Sequence, residues 1–301
     1  MKKPIGSEII LAASVFVGIA APPVSEFLRP FLFVFVFFLM LFSLLTIKVD
    51  EVLTDGLRSA SLARIMGVQM IALPVVIGIW HRFLPGSGHW SELIFITACA
   101  GSIFGAPAFA RVMGLDAGLA LRGVIASTLL TPVVLPLLVP LFTRRTAEFD
   151  FLAYVARFCI FILVPLATAY WYQSRHQGPT DRGNRFFGAM TIVFLALFGI
   201  AIMDGIGERF RHVPWETFGM LGFALALHAM FFGVSALPFL RRDGHRALTA
   251  GLLSAYRNLA VVLAIGGAML PPDFIVFAAL WQIPMYVMPL IVRLWKSRSA
   301  A

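Results

Sequence analysis

Ten apolar runs of membrane-spanning length follow one another almost without interruption through the 301 residues, and nothing else restricts the fold as severely. A helix needs about 17–25 largely apolar residues to cross the hydrocarbon core of a bilayer. The runs fall at about 7–23, 28–47, 62–84, 91–113, 118–142, 150–172, 187–206, 213–239, 246–270 and 273–295. Between them lie short connections marked by breakers or charge: Pro22-Pro23, Lys48 to Arg58, Pro85-Gly86-Ser87-Gly88, Arg144-Arg145, Gln177 to Arg185, Arg241-Arg242-Asp243 and Pro271-Pro272. They leave no room for a soluble domain. Composition agrees, with 60% hydrophobic and 13% charged residues, against about 45–50% apolar and about 25% charged in soluble chains. A cytosolic enzyme, a disulfide scaffold and a disordered protein are excluded together. What is left is an all-α polytopic membrane protein whose main partner is the lipid bilayer. Cys99 and Cys159 both lie inside apolar runs and read as packing residues without a disulfide.

The net charge of +9 would suggest nucleic acid in a soluble chain, but here the basic residues sit between apolar runs and form no single patch. They report orientation instead. With the N-terminus inside, the cytoplasmic side holds Lys2, Lys3, Lys48, Arg58, Arg64, Arg111, Arg122, Arg175, Arg182, Arg185, Arg241, Arg242, Arg246, Arg293, Lys296 and Arg298. The outer side holds Arg29, Arg82, Arg144, Arg145, Arg209 and Arg211. This bias places both termini in the cytoplasm. It also favours reading the first run as a retained span, although Lys2-Lys3 and the run ending near Ala20-Ala21 have the form of a signal peptide. Trp80, Trp90, Trp171, Trp215 and Trp295 lie near span ends, as interfacial tryptophans do.

Ten spans divide into two sets of five, about 7–142 and 150–295. Because five is odd, a repeated five-helix unit enters the membrane from opposite sides in the two halves, the plan of many secondary transporters. Polar interruptions occupy matching places. Gln69 in span three has His228 in span eight as its counterpart. Span four is interrupted by Gly101-Ser102-Ile103-Phe104-Gly105-Ala106-Pro107, and span nine by Ser254-Ala255-Tyr256-Arg257-Asn258. Broken helices at corresponding positions point to a central binding site.

Arg257 is the most informative residue, because an arginine in mid-span costs about 2.5–3.5 kcal/mol on insertion scales. No carboxylate in a span stands out as its partner. It is satisfied by carbonyls of an unwound helix, by an anionic substrate, or by pairing with Asp116 or a helix C-terminus. Asn258 either presents donor and acceptor to a ligand or caps the helix break. Gln69 either contacts a ligand or bonds between helices. His228 is either a proton relay or a neutral core histidine bonded to a carbonyl. Gly101, Gly105 and Pro107 open span four and expose backbone groups around Ser102. Arg157 snorkels to the interface, and Gln282 and Pro284 mark a kink in span ten. No phosphate loop, HExxH or Cys-His ligand pattern occurs, no Ser-His-acid trio stands out in the spans, and a catalytic role is disfavoured.

These residues resemble the bile acid/sodium symporter family of ten-helix transporters, in its bacterial branch. The likeness rests on Phe37-Phe38-Leu39-Met40-Leu41-Phe42 before Lys48 and on Gly67-Val68-Gln69 with Pro74. It continues with Val112-Met113 and Asp116, then Ser127-Thr128-Leu129-Leu130-Thr131-Pro132, and with Asn258-Leu259-Ala260. The resemblance implies a panel domain of spans one, two, six and seven and a core of spans three to five and eight to ten. It implies that spans four and nine cross where they unwind, and that a small organic anion is carried with sodium. The chain departs from the family where sodium matters. The family's crossover glutamate falls at Leu253 and its glutamine at Arg257, while expected side-chain oxygens fall at Ala106, Pro107, Ala120 and Val124. Gln69 and Asn258 match by type, and Ser254 and Tyr256 offer backbone carbonyls for an ion. A guanidinium at a ligand position repels a cation by roughly 4 kcal/mol at 4 Å in an effective dielectric of 20. The expectation is therefore a transporter, not an enzyme, that needs no cofactor, whose coupling to sodium is lost, and in which Arg257 supplies a fixed positive charge. Arg257 would attract the anion and Asn258 and Gln69 would orient it. Arg257→Gln should then weaken anion binding in a direct binding assay.

Overall fold

The computed structural model describes residues 6–46, 59–84, 88–143, 150–176, 181–241 and 243–299. Lys2, Lys3, Lys48, Arg58, Arg144, Arg145 and Arg242 of the orientation count lie outside the described residues, as do most of the connections 47–58, 85–87 and 177–180. The side chains of Arg182, Arg293, Lys296 and Arg298 lie outside them too.

The described chain is helical throughout and contains no strand. Its helices are α1 (Ser7–Ala20), α2 (Pro22–Leu45), α3 (Ala60–Phe83), α4 (Gly88–Ala98), α5 (Ala106–Met113), α6 (Ala117–Phe142) and α7 (Phe151–His176). They continue with α8 (Asp181–Ile202), α9 (Ile206–His212), α10 (Pro214–Phe239), α11 (Gly244–Ala255), α12 (Leu259–Gly266) and α13 (Phe274–Ser299). Among the described residues, six helical segments are long and apolar enough to cross a membrane: α2, α3, α6, α7, α10, and the run Gly183–His212 made of most of α8 together with α9. The fourth and ninth apolar runs are each split, into α4 with α5 and α11 with α12. Outward faces are apolar, with Val133, Leu137 and Leu141 exposed along one side of α6 and Trp215 exposed at the start of α10. Apolar side chains facing outward at spacing i, i+4, i+8 suit lipid and not water.

Local chemistry sets the helix ends. Side-chain oxygens of Asp116, Asp150, Asp243 and Asn258 accept from the backbone of Leu119, Ala153, Arg246 and Val261, capping α6, α7, α11 and α12. Asp116 is thereby engaged as a cap, and its own N–H meets Thr249 Oγ1 at 3.3 Å. Asp116 forms no ion pair with Arg257, nor with the nearby Arg111 and Arg122, among the described residues. Three prolines at fourfold spacing, Pro132, Pro136 and Pro140, sit inside α6 without ending it. Tyr154 donates to the Pro132 carbonyl at 2.6 Å, the carbonyl that Pro136, having no N–H, leaves without its ladder donor. In lipid such side-chain bonds take over when prolines interrupt the ladder.

The chain forms two compact units. One consists of residues 1–48, 160–225 and 275–301, the other of 49–159 and 226–274. The first contains α1, α2, most of α7, α8, α9, the first half of α10 and nearly all of α13. This division puts the tenth apolar run with the first, second, sixth and seventh, whereas the family resemblance puts it with the core spans. The first unit is held by aromatic stacking between α2 and α8: Phe38 and Phe42 lie 5.1 and 5.5 Å from Phe194, and Phe42 lies 6.2 Å from Phe187. Glycine notches bring its helices closer. Gly18 of α1 faces the backbone of Ile200, and Gly199 of α8 faces Ser14 and the ring of Tyr286, whose hydroxyl donates to the Leu195 carbonyl at 3.1 Å. Gln282, expected in a kink, is buried in α13. The second unit gathers α3 to α6, the first turns of α7, the end of α10, and α11 and α12.

Small residues let membrane helices approach when hydrophobic force cannot hold them together. A Cβ at Gly18 would lie 2.7 Å from the Ile200 carbonyl oxygen, and backbone cannot move aside cheaply. Gly18→Val should lower the thermal midpoint of the detergent-solubilised protein, by about 1–3 kcal/mol of overpacking. Gly188→Ala, which meets nothing within 4 Å, should leave it unchanged.

Candidate functional site

Two helix breaks meet in the second unit. Between α4 and α5 the chain is extended around Ser102, and between α11 and α12 it is extended around Arg257. These two residues form an antiparallel bridge. The Ile103 N–H donates to the Tyr256 carbonyl at 2.7 Å, and the Asn258 N–H donates to the Gly101 carbonyl at 2.7 Å. Four backbone groups that unwinding would orphan are thus paired with each other. Gly101 is required for this approach, since a Cβ there would lie 2.8 Å from both the Ser127 carbonyl oxygen and Thr131 Oγ1.

Arg257 is wholly buried. Its guanidinium donates through Nη1 to the carbonyls of Ala100 at 2.6 Å, Ala98 at 3.1 Å and Gln69 at 3.3 Å, and through Nη2 to Ser254 Oγ at 3.1 Å. Its Cζ lies 4.9 Å from the centre of the Phe231 ring, an arrangement that favours a desolvated cation. The partners are therefore oxygens and an aromatic face, with no carboxylate among them. Two of the carbonyls come from the end of α4, where the helix dipole concentrates negative charge. The third comes from a π-helical stretch in α3, Gly67–Ala72, a distortion that changes which carbonyls the ladder uses. Of the sequence alternatives for Arg257, carbonyls and a helix C-terminus are what the side chain meets.

Gln69 stands beside it, also fully buried. Its Nε2 donates to Ser102 Oγ at 2.8 Å and to the Leu253 carbonyl at 3.3 Å, and Ser102 Oγ donates to the same carbonyl at 2.8 Å. Ser127 Oγ accepts from the Ser102 N–H at 2.9 Å and donates to the Val124 carbonyl at 3.1 Å. Asn258 uses Oδ1 to cap α12 through the Val261 N–H at 3.3 Å. Three polar atoms in this cluster have no hydrogen-bond partner among the described residues: Gln69 Oε1, Arg257 Nε and Asn258 Nδ2. Buried groups of this kind are rare and call for a ligand, a water or a change of state.

The structure therefore brings Arg257, Asn258, Gln69, Gly101, Ser102, Ser254 and Tyr256 together. Gly105 caps α5 beneath the Phe109 ring, and Pro107 sits in its first turn. Of the oxygens expected to be open to an ion, the Tyr256 carbonyl accepts from the Ile103 N–H, whereas Gln69 Oε1 has no hydrogen-bond partner among the described residues; Arg257 meets Gln69 through its backbone carbonyl and Ser254 through Oγ. His228 lies edge-on to Tyr256 with ring centres 6.3 Å apart, and Tyr256 packs on Phe109 at 5.2 Å. Ala106, Ala120 and Val124 are fully buried, apolar neighbours. Sequence reasoning missed Phe231 and the Ala98 and Ala100 carbonyls. Phe231 was within reach of it, three residues after His228 on the same helix face. Backbone carbonyls carry no such mark. Among the described residues no three His, Cys, Asp or Glu side chains gather into a metal site. Neither a protein-family model nor a curated protein matches this chain.

Ser127→Ala would leave the buried Ser102 N–H without its acceptor. That should cost about 1–3 kcal/mol, seen as a lower thermal midpoint in detergent.

Proposed function

We propose that this protein is a secondary carrier that moves a small organic anion across a bacterial inner membrane by alternating access. On this reading it follows the plan of the bile acid/sodium symporter family: ten spans in two inverted five-helix repeats, α4–α5 and α11–α12 as crossing broken spans, and both termini in the cytoplasm. The observation that carries it is the antiparallel pairing of the two breaks. Two copies of a repeat related by an axis in the membrane plane meet in that antiparallel way. The half-helices also match in length, 11 and 8 residues for α4 and α5 against 12 and 8 for α11 and α12.

The chemistry of the pair favours an anion. The N-terminal ends of α5 and α12 start at the breaks and contribute positive partial charge, and Arg257 adds a full one. Asn258 Nδ2 remains a donor without a protein partner. Arg257 acts on the anion through its field, since its side chain is enclosed by protein oxygens. The same enclosure favours a carrier that does without sodium. Helix C-termini and unwound carbonyls are where carriers of this design hold a cation, and here the guanidinium occupies those oxygens as a tethered cation.

Counterflow of labelled organic anions in proteoliposomes tests the reading. Saturable counterflow is expected, and binding without counterflow would instead make this a membrane ligand-binding protein. The tethered cation has its own test. The thermal midpoint should be equal in sodium chloride and choline chloride at equal ionic strength. Arg257→Ala should lower it, and millimolar methylguanidinium should restore part of the loss. A saturable sodium-specific shift in the unaltered protein would favour sodium symport through an altered site.

A further inference from the structure

A second polar site lies away from the helix breaks, at the start of α7. Asp150, Ala153, Tyr154 and Arg157 fall at i, i+3, i+4 and i+7 and so share one face of the helix. Together with Gly266, Ala268 and Met269 they line a cavity of about 190 Å³. That is several times the ~30 Å³ share of one water molecule. Long side chains on a helix lean toward its N-terminus, which directs Arg157 back toward the Asp150 end.

The fold makes specific provision for this arginine. Its guanidinium lies against Gly267, and any Cβ at that position would collide with it. Gly267 also adopts φ 53° and ψ −128°, a conformation that side-chain-bearing residues avoid. Sequence reasoning makes Arg157 a snorkelling residue, and capping of the end of α12 would be the other bland role. A cap would donate to the last carbonyls of α12, yet Arg157 donates to none of the described residues and forms no ion pair with them. A half-buried guanidinium with free donors, in a cavity, is built to meet an anion. Asp150 supplies the opposite charge at the other end. One of its oxygens caps the helix through the Ala153 N–H at 3.0 Å, which leaves the other for a cation. Next to it, Phe151 and Leu152 are 67% and 78% exposed, at the first turn of a helix long and apolar enough to cross a membrane.

We infer that this cavity binds the headgroup of a zwitterionic phospholipid carrying a primary ammonium, with Arg157 on the phosphate and Asp150 on the ammonium. The phosphate on Arg157 sits further into the span than the ammonium on Asp150, so the acyl chains would continue from it toward the middle of α7, a helix long and apolar enough to cross a membrane. A phosphoethanolamine headgroup fits this charge pair. A phosphocholine headgroup does not, because a quaternary ammonium has no N–H to give the carboxylate.

The test titrates the purified full-length protein with phosphatidylethanolamine, phosphatidylcholine and soluble glycerophosphoethanolamine, reading thermal midpoint and lipid retention by native mass spectrometry. Phosphatidylethanolamine should stabilise and be retained. Its apparent affinity should fall about tenfold or more in both Arg157→Gln and Asp150→Asn. Asn still caps a helix, so Asp150→Asn removes the charge while keeping the fold, should Arg157→Gln not fold. Equal shifts with phosphatidylcholine would overturn the proposal, as would a phosphatidylethanolamine shift that survives Asp150→Asn. Equal stabilisation by glycerophosphoethanolamine would assign the site to a soluble zwitterion and overturn the lipid assignment.

Discussion

Everything in the second unit depends on one electrostatic requirement: helices that stop inside an apolar interior must have their ends satisfied there. Breaking α4–α5 and α11–α12 exposes carbonyls on one side and N–H groups on the other. Part of the requirement is met by joining the breaks, with Ile103 donating to Tyr256 and Asn258 donating to Gly101. The rest falls to a side chain. Arg257 gathers the carbonyls of Ala98, Ala100 and Gln69 around one guanidinium, and neither the charge nor the carbonyls would be tolerable alone. Each is the other's counter-charge.

That interdependence explains which other residues are constrained. Gly101 has no side chain because Ser127 and Thr131 press on it. Ser127 must be a hydroxyl because the Ser102 N–H points at it. Gln69 ties α3 to both breaks, through its carbonyl to Arg257 and through its amide to Ser102 and Leu253. The Gln69 carbonyl that Arg257 reaches lies within the π-helical turn of α3.

Much of this was legible in the sequence, and the parts that were not share a cause. The breaks at 101–107 and 254–258 show because glycine, proline and polar residues interrupt apolar runs. The identity of Arg257 as the focus shows because a mid-span arginine is costly. Its partners did not show. A search for a carboxylate looks at side chains, whereas the partners are backbone carbonyls, which every residue has. The two π-helical stretches, Gly67–Ala72 and Cys159–Leu163, were invisible for the same reason, as they are decided by packing and not by residue type. The first apolar run gives only a 14-residue helix, because Pro22-Pro23 starts a new one; Pro favours the first helical turn. The Arg157 cavity was missed because its essential element, the space over Gly267, lies more than a hundred residues away in the chain.

A tethered cation changes what a carrier can do with energy. A symporter that binds free sodium offsets its anion's charge, and where the sodium charge exceeds the anion's the membrane potential assists uptake. If Arg257 supplies the positive charge, that charge stays with the protein, and only the anion's charge crosses. Moving one elementary charge across a membrane is worth about 2.3 kcal/mol per 100 mV. With the inside negative, uptake of a monovalent anion is opposed by that amount and efflux is assisted by it. On the carrier reading, the same guanidinium that stabilises the paired breaks would leave the anion's charge uncompensated, so that efflux or anion exchange runs without a further coupled ion while uptake needs one. On that reading, the geometry at Ala98, Ala100 and Gln69 would then reach the energetics of transport, because a charge held by covalent bonds cannot be released on the far side.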